Sequence, residues 1–133
     1  MITNQKLNMT MLCDFYELTM GNGYFSTPMR DRICYFDVFY RNVPDNGGFA
    51  IAAGLEQVIE YIRDLHFSEE DIEYLRGRQM FSEEFLQYLR TFRFTGDIYA
   101  VPEGTPIFPK EPLLTVRAPA IEAQLVETYI LLI

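Results

Sequence analysis

The sequence predicts an α+β fold, because segments with helical periodicity alternate with segments rich in strand-forming residues. Residues 32–41 (RICYFDVFYR) are aromatic and β-branched and alternate in polarity, which is typical of a strand. Between residues 55 and 92, apolar residues recur at helical spacing. After Thr95-Gly96, short strand candidates are separated by turns rich in Pro and Gly. We therefore expect several helices and short strands in one domain of 133 residues.

Composition excludes several classes of function. Hydrophobic residues make up 49% of the chain, which is enough for a packed core, and the net charge of -8 disfavours binding to nucleic acid or to an anionic membrane. The two cysteines, Cys13 and Cys34, lack CxxC spacing, so neither a disulfide framework nor a zinc site is expected. The polar N-terminus is unlike a secretory signal, and no apolar run reaches the roughly 18–20 residues of a membrane span. These features predict a cytoplasmic protein.

The first predicted helix covers residues 12–23 and ends at Asn22-Gly23. Its apolar face is expected to contain Leu12, Phe15, Leu18 and Thr19, with Asp14 and Glu17 off that face. In the strand that follows, alternation predicts one face with Cys34, Phe36, Val38 and Tyr40 and another with Tyr35, Asp37 and Phe39. Residues 44–48 (PDNGG) are typical of a turn or loop.

Three helices should follow this loop. The first begins near Leu55, and Ser68 and Ser82 are expected to cap the second and third. The acidic residues that follow each serine are favourable near the positive end of a helix dipole, so we interpret them as helix-end charges rather than as catalytic groups.

The last third predicts strands over residues 97–101, 105–108 and 113–116, and then a final helix opened by Pro119. Residues 129–133 are all large and apolar and have no capping residue. We therefore expect this helix to pack against further structure, and the chain to be part of a larger protein.

Three segments resemble the N-terminal part of nicotinate phosphoribosyltransferases. They are residues 12–25 (LCDFYELTMGNGYF), residues 35–62 (YFDVFYRNVPDNGGFAIAAGLEQVIEYI) and residues 94–128 (FTGDIYAVPEGTPIFPKEPLLTVRAPAIEAQLVET). Their order, spacing and turn residues all agree with that family, and together they cover most of the chain.

The resemblance implies a fold and an activity. Residues 1–133 would be an N-terminal domain of helices and a small β-sandwich of hammerhead type, as in type II phosphoribosyltransferases, ending where an absent α/β barrel begins. The family forms nicotinate mononucleotide from nicotinate and phosphoribosyl pyrophosphate with ATP hydrolysis, an entry step into NAD. ATP and Mg²⁺ are implied for the full enzyme, as is a homodimer with sites near its interface. This segment alone is expected to bind no cofactor and to be inactive.

The same resemblance assigns roles to three residues. Tyr16 matches a tyrosine whose ring stacks on nicotinate, and Arg41 matches an arginine that contacts the phosphates of the phosphoribosyl donor. Asp14 belongs to the same motif as Tyr16 and is expected to support the local structure. No catalytic residue and no metal ligand is assigned to this segment.

Two other residues are interpreted as structural. Cys13 stands where many relatives have threonine, and nothing in the sequence around it would lower the pKa of its thiol. His66 does not match the family's phosphorylated histidine, and we expect it to lie at the surface or between helices.

Two alternatives remain at this point. The first is a nicotinamide or quinolinate phosphoribosyltransferase, because the residues that select the pyridine substrate would lie mostly in the barrel. The second is a carrier module of the lipoyl or biotinyl type, with Lys110 in a turn of the β-rich segment as the attachment site.

Overall fold

The structure is a computed structural model that describes residues 7–43, 45 and 47–133. The described residues form six α-helices, a short 3₁₀ helix and five strands. The helices are α1 (Phe15–Phe25), α2 (Leu55–Asp64), α3 (Glu69–Gly77), α4 (Glu83–Arg90), α5 (Ala120–Leu125) and α6 (Glu127–Leu132). The strands are β1 (Ile33–Val38), β2 (Ala50–Ile51), β3 (Asp97–Ala100), β4 (Pro106–Ile107) and β5 (Leu114–Pro119), and the 3₁₀ helix is Pro28–Asp31. The expected α+β class is confirmed.

The strands form two small antiparallel sheets. In the larger sheet β5 lies between β1 and β3, and Phe36 and Ile98 both pair with Val116. The second sheet pairs β2 with β4. The predicted alternation of β1 is confirmed: Cys34, Phe36 and Val38 are half-buried, whereas the residues between them are exposed. One face of the larger sheet therefore lies on the core and the other faces solvent.

The core lies between the helices and the inner face of the larger sheet. Its most deeply buried members are Leu18, Ile72, Leu75, Phe85, Leu86, Leu89, Val116, Ile121 and Val126. Helices α1 and α5 pack together, as do α3 and α4. Gly21 allows close packing in α1, because a Cβ atom there would lie 3.2 Å from the ring of Phe85. These contacts fix the orientation of α1, which carries Tyr16.

The three middle helices begin where the sequence predicts. The Ser68 side chain accepts a hydrogen bond from the Asp71 N–H, and the Asp71 carboxylate accepts one from the Ser68 N–H, which completes a capping box. Ser82 likewise caps α4 by accepting from the N–H of Phe85. Both serine caps are confirmed.

Helix α2 is capped from a distant loop. Its N-cap residue, Gly54, has a left-handed backbone with φ 101° and has no side chain to accept a hydrogen bond. Instead, Glu103 Oε1 accepts from the N–H groups of Gly54 (3.0 Å) and Glu56 (3.4 Å). Glu103 therefore joins α2 to the loop between β3 and β4.

The two terminal helices differ from expectation. Helix α1 begins at Phe15 and continues through Asn22-Gly23 to Phe25, so its predicted bounds are wrong at both ends. Leu12 and Phe15 are exposed, whereas Glu17, predicted off the buried face, is fully buried. The single helix predicted after Pro119 is two helices, and Pro119 is the last residue of β5.

Within the predicted turn at residues 44–48, Pro44 and Asn46 lie outside the described residues, and Asp45 has φ 58°. Among the described residues, none of the helices has the length and apolar character needed to cross a bilayer.

Candidate substrate-binding site

Tyr16 lies in the first turn of α1, next to hydrogen bonds that fix the start of this helix. Asp14 precedes the helix with an extended backbone, and its N–H donates to Thr128 Oγ1 over 3.1 Å. The Asp14 carboxylate makes no capping hydrogen bond. Asp14 therefore holds the start of α1 through its main chain.

Glu17 joins the same helix to α6. Its Oε1 accepts hydrogen bonds from the N–H of Thr128 (3.1 Å) and from the Thr128 hydroxyl (2.5 Å). In a continuous helix the Thr128 N–H would donate to the carbonyl of Gln124, four residues earlier. Glu17 thus takes the place of that carbonyl, and this explains why the predicted final helix is interrupted at Val126, between α5 and α6.

The ring of Tyr16 is accessible. The side chain is 44% exposed, and its phenol lies near the carboxylate of Glu127 on α6. Partial burial, the interaction with the Glu127 carboxylate and the nearby negative charges of Glu17 and Asp14 raise the pKa of Tyr16 to about 12. The phenol is therefore neutral at physiological pH.

Arg41 lies in a different part of the molecule. It is exposed, comes three residues after the end of β1, and lines an open cavity of about 590 Å³. This cavity is also lined by Asn42, Gly47, Gly48 and Lys110, and neither Tyr16 nor Asp14 lines it. The structure thus brings Asp14 and Tyr16 together at the start of α1 and places Arg41 apart from them.

One carboxylate at the start of α3 and one at the start of α4 are engaged in ion pairs. Glu69 binds the guanidinium of Arg90 through both oxygens, at 2.7 and 2.8 Å. Glu83 binds Arg76 in the same way, at 3.0 and 2.7 Å, and so connects α3 with α4. These pairs support the interpretation of the acidic clusters as structural charges.

Cys13 and His66 also match their structural interpretation. Burial and the nearby carboxylates of Glu17 and Asp14 raise the pKa of the Cys13 thiol to about 12, so it is not a reactive thiolate. His66 is exposed, and its Nδ1 lies 2.5 Å from the carbonyl oxygen of Asp64.

Sequence reasoning missed three residues near the expected site. Glu127 and Thr128 were not recognised because the residues of α1 with which they interact lie more than 100 positions away. Thr128, for example, is 111 positions from Glu17. Lys110 was considered only as a carrier lysine, although it lines the cavity at Arg41. A weak signal for Glu127 and Thr128 was available, since polar residues in an otherwise apolar helix usually have a specific partner.

Lys110 is not at the tip of a hairpin. It lies between β4, which pairs with β2, and β5, which pairs with β1 and β3. Carrier modules present their lysine between two neighbouring paired strands, so this topology argues against the carrier alternative.

A family model described as the nicotinate phosphoribosyltransferase (NAPRTase) N-terminal domain matches residues 11–133. A nicotinate phosphoribosyltransferase of Mycobacterium tuberculosis is 46% identical over 121 residues, covering 91% of this chain and 26% of that protein. One from Caenorhabditis elegans is 40% identical over 124 residues, covering 91% and 22% respectively.

A solved structure agrees with these sequences. The crystal structure of human nicotinic acid phosphoribosyltransferase matches with a TM-score of 0.82 and 32% identity, over 90% of this chain and 24% of that chain. The chain thus spans about a quarter of the length of the relatives it matches. Since the family model covers nearly all of its residues, the chain belongs to the nicotinate phosphoribosyltransferase family and corresponds to the N-terminal domain of that family.

Proposed function

We propose that this chain contributes the N-terminal domain of an enzyme that makes nicotinate mononucleotide from nicotinate and phosphoribosyl pyrophosphate, coupled to ATP hydrolysis. The observation that carries the proposal is the exposed, neutral ring of Tyr16, held at the start of α1 by groups on α6. The names of the curated relatives favour nicotinate over nicotinamide or quinolinate as the substrate.

The role of Tyr16 is to orient the pyridine ring of nicotinate. An electron-poor ring stacks favourably on the face of an electron-rich phenol, and a neutral phenol does not repel the nicotinate carboxylate. Since Tyr16 lies in the first turn of α1 and the start of this helix is bound to Thr128, the position of the ring is restricted before the substrate arrives. The side chain then loses less conformational freedom when nicotinate binds.

Arg41 is proposed to bind phosphate groups of the phosphoribosyl donor. A guanidinium presents paired N–H donors that match two phosphate oxygens, and Arg41 is exposed beside an open cavity. The reaction displaces pyrophosphate from the anomeric carbon of the ribose, so groups that hold the phosphates help the leaving group to depart.

The remaining parts of the site are proposed to come from outside this chain. Tyr16 and Arg41 do not share the cavity described above, which supports a homodimer in which each residue completes a site together with other groups. Mg²⁺ would accompany the phosphorylated substrates and neutralise their charge. In the part of the chain that the structure describes, no three His, Cys, Asp or Glu residues could hold a metal ion, so we assign none of them to Mg²⁺. A cytoplasmic location is part of the same proposal.

A chimeric enzyme tests the proposal directly. This chain would replace the matching N-terminal domain of the 46% identical Mycobacterium tuberculosis relative. We expect nicotinate-dependent release of pyrophosphate, and we expect Tyr16→Ala to raise the KM for nicotinate roughly tenfold, because ring stacking contributes on that order. Steady-state kinetics with either substrate varied provide the measurement.

The matched control is Tyr16→Phe, which keeps the ring and removes only the hydroxyl. It should retain a KM within a few-fold of the parent. Arg41→Gln should raise the KM for phosphoribosyl pyrophosphate and leave that for nicotinate unchanged. A folded chimera without nicotinate-dependent turnover, or a Tyr16→Ala variant with parental kinetics, would overturn the proposal.

A further inference from the structure

The main chain of Tyr40 holds Lys110 beside the strand end that carries Arg41. The N–H of Lys110 donates to the carbonyl oxygen of Tyr40 over 2.9 Å, and the Tyr40 hydroxyl donates to the carbonyl of Ile107 over 2.6 Å. A further bond, from the Leu113 N–H to the Val38 carbonyl (2.9 Å), closes the other side of this loop. The loop that carries Lys110 is therefore fixed to the end of β1 at three points.

The backbone of Lys110 adopts a conformation that is uncommon for its residue type. Its φ of 67° lies in the left-handed region, where a residue other than glycine is disfavoured. The hydrogen bonds on both sides of Lys110 maintain this conformation. They place the lysine at the cavity that is also lined by Arg41, which lies 69 positions earlier in the sequence.

The charges at this cavity contrast with the rest of the chain. The protein has 19 acidic and 11 basic residues, yet the described residues that line the cavity include Arg41 and Lys110 and no carboxylate. Other arginines have acidic partners, among them Arg117, which lies 2.8 Å from Asp97. Among the described residues, neither Arg41 nor Lys110 lies within 4.0 Å of a carboxylate oxygen in an ion pair.

We propose that Lys110 is a second phosphate-binding residue, which together with Arg41 forms a subsite for a phosphate or pyrophosphate group of the phosphorylated sugar substrate. Arg41 would make the directional contacts and Lys110 would add a compact positive charge. Gly47 and Gly48 line the same cavity, and an anion can approach their main chain closely because glycine has no side chain. The assignment to the sugar substrate rests on the proposed function, whereas the binding of phosphate does not.

Titration of the ¹⁵N-labelled chain with inorganic pyrophosphate and, separately, with ribose 5-phosphate tests the subsite. We expect saturable amide shifts at Gly47, Gly48 and Lys110, and the ligand that binds more tightly identifies the group recognised. Lys110→Gln and Arg41→Gln should each weaken binding roughly tenfold. Arg63→Gln, an exposed arginine away from the cavity, removes the same charge and should leave affinity within twofold. No saturation in the parent chain, or equal affinity for the parent and Lys110→Gln, would overturn the proposal.

Kinetics of the chimeric enzyme distinguish failure of this proposal from failure of the proposed function. Lys110→Gln should raise the KM for phosphoribosyl pyrophosphate and leave the KM for nicotinate unchanged. Pyrophosphate binding that depends on Lys110 in a chimera without nicotinate turnover would refute the proposed function and support the subsite. A Lys110→Gln chimera with parental kinetics for both substrates would refute the role of Lys110 and leave the proposed function intact.

Discussion

Two buried glutamates each bind a single threonine through two hydrogen bonds. Glu122 on α5 accepts from the N–H (2.6 Å) and the hydroxyl (2.9 Å) of Thr95, and Glu17 accepts from both groups of Thr128. The difference is that Glu17 Oε2 is buried without a hydrogen-bond partner among the described residues. A buried carboxylate that is only half satisfied is costly when ionised.

This cost predicts a pH-dependent stability. Burial raises the pKa of Glu17 from 4.5 to about 6, despite the hydrogen bonds from Thr128. Because the folded pKa is raised, the stabilising contribution is complete below about pH 4.5 and is lost as the pH rises through about 6. The loss amounts to about 2 kcal/mol, from 1.5 pKa units.

Glu17→Gln is expected to remove this contribution. The difference in free energy of unfolding between parent and variant should shift by about 2 kcal/mol in favour of the variant between pH 4.5 and 7.5. Urea unfolding at several pH values measures this difference. A difference that stays constant over that range would show that Glu17 does not titrate as described.

Glu17 also shows why some buried residues escape sequence reasoning. Its position in the helical repeat and its charge both placed it off the apolar face. The partner that stabilises it, Thr128, lies 111 positions away, and helical periodicity contains no information about such a pairing. By contrast, Ser68 and Ser82 were predicted correctly because their capping partners lie three residues away.

Helices and strands were predictable to the extent that local patterns determine them. The middle helices have strong apolar periodicity, α3 and α4 also have local caps, and β1 alternates along its whole length, so their positions agree with the sequence. The break between α5 and α6 was missed because a distant carboxylate replaces one helical hydrogen bond. The end of α1 was missed because Gly23 continues the helix instead of ending it.

The main chain just before β3 passes very close to β5, and this close approach requires Gly96. A Cβ atom at Gly96 would lie 2.5 Å from both the Ala118 Cβ and the Arg117 carbonyl oxygen. Gly96→Ala should therefore destabilise the fold by about 2 kcal/mol or more, because main-chain atoms of the central strand cannot move aside easily. Thermal or urea unfolding measures the effect.

Gly23→Ala is the matched control for this substitution. A Cβ atom there would meet nothing within 4 Å, and the residue lies within α1. We expect it to stabilise the chain by about 0.5–1 kcal/mol through helix propensity. If the two alanine variants lost similar stability, the close approach at Gly96 would not be the cause.

Under the proposed function, the chain as a whole positions binding groups rather than reacting ones. Tyr16 and Arg41 are proposed to hold substrates, and the relatives are about four times as long as the segment they share with this chain. We expect the 133 residues alone to release no pyrophosphate in the presence of nicotinate, phosphoribosyl pyrophosphate, ATP and Mg²⁺. A coupled pyrophosphate assay tests this, with the chimera as the positive control. Turnover by the purified chain would place reacting groups within it.

The candidate site was only partly predictable from the sequence. The motifs pointed to Tyr16, Arg41 and Asp14 and placed Tyr16 and Asp14 together in the first helix. They gave no indication that Arg41 lines a separate cavity. They also gave no indication that the main chain of Tyr40 would hold Lys110 beside Arg41. These relations arise from long-range hydrogen bonds, which no local pattern records.

The order of strands in the larger sheet has a consequence for biosynthesis. Among the described strands, β1 pairs with β5 alone, so Asp37 lacks its partner until Thr115, 78 positions later, has left the ribosome. The start of α1 depends on Thr128, which is made later still. Pairings this distant are slow to form and leave apolar strands uncovered in the nascent chain. Tyr16 therefore cannot reach its final orientation before Thr128 has been made, although it is translated long before that residue.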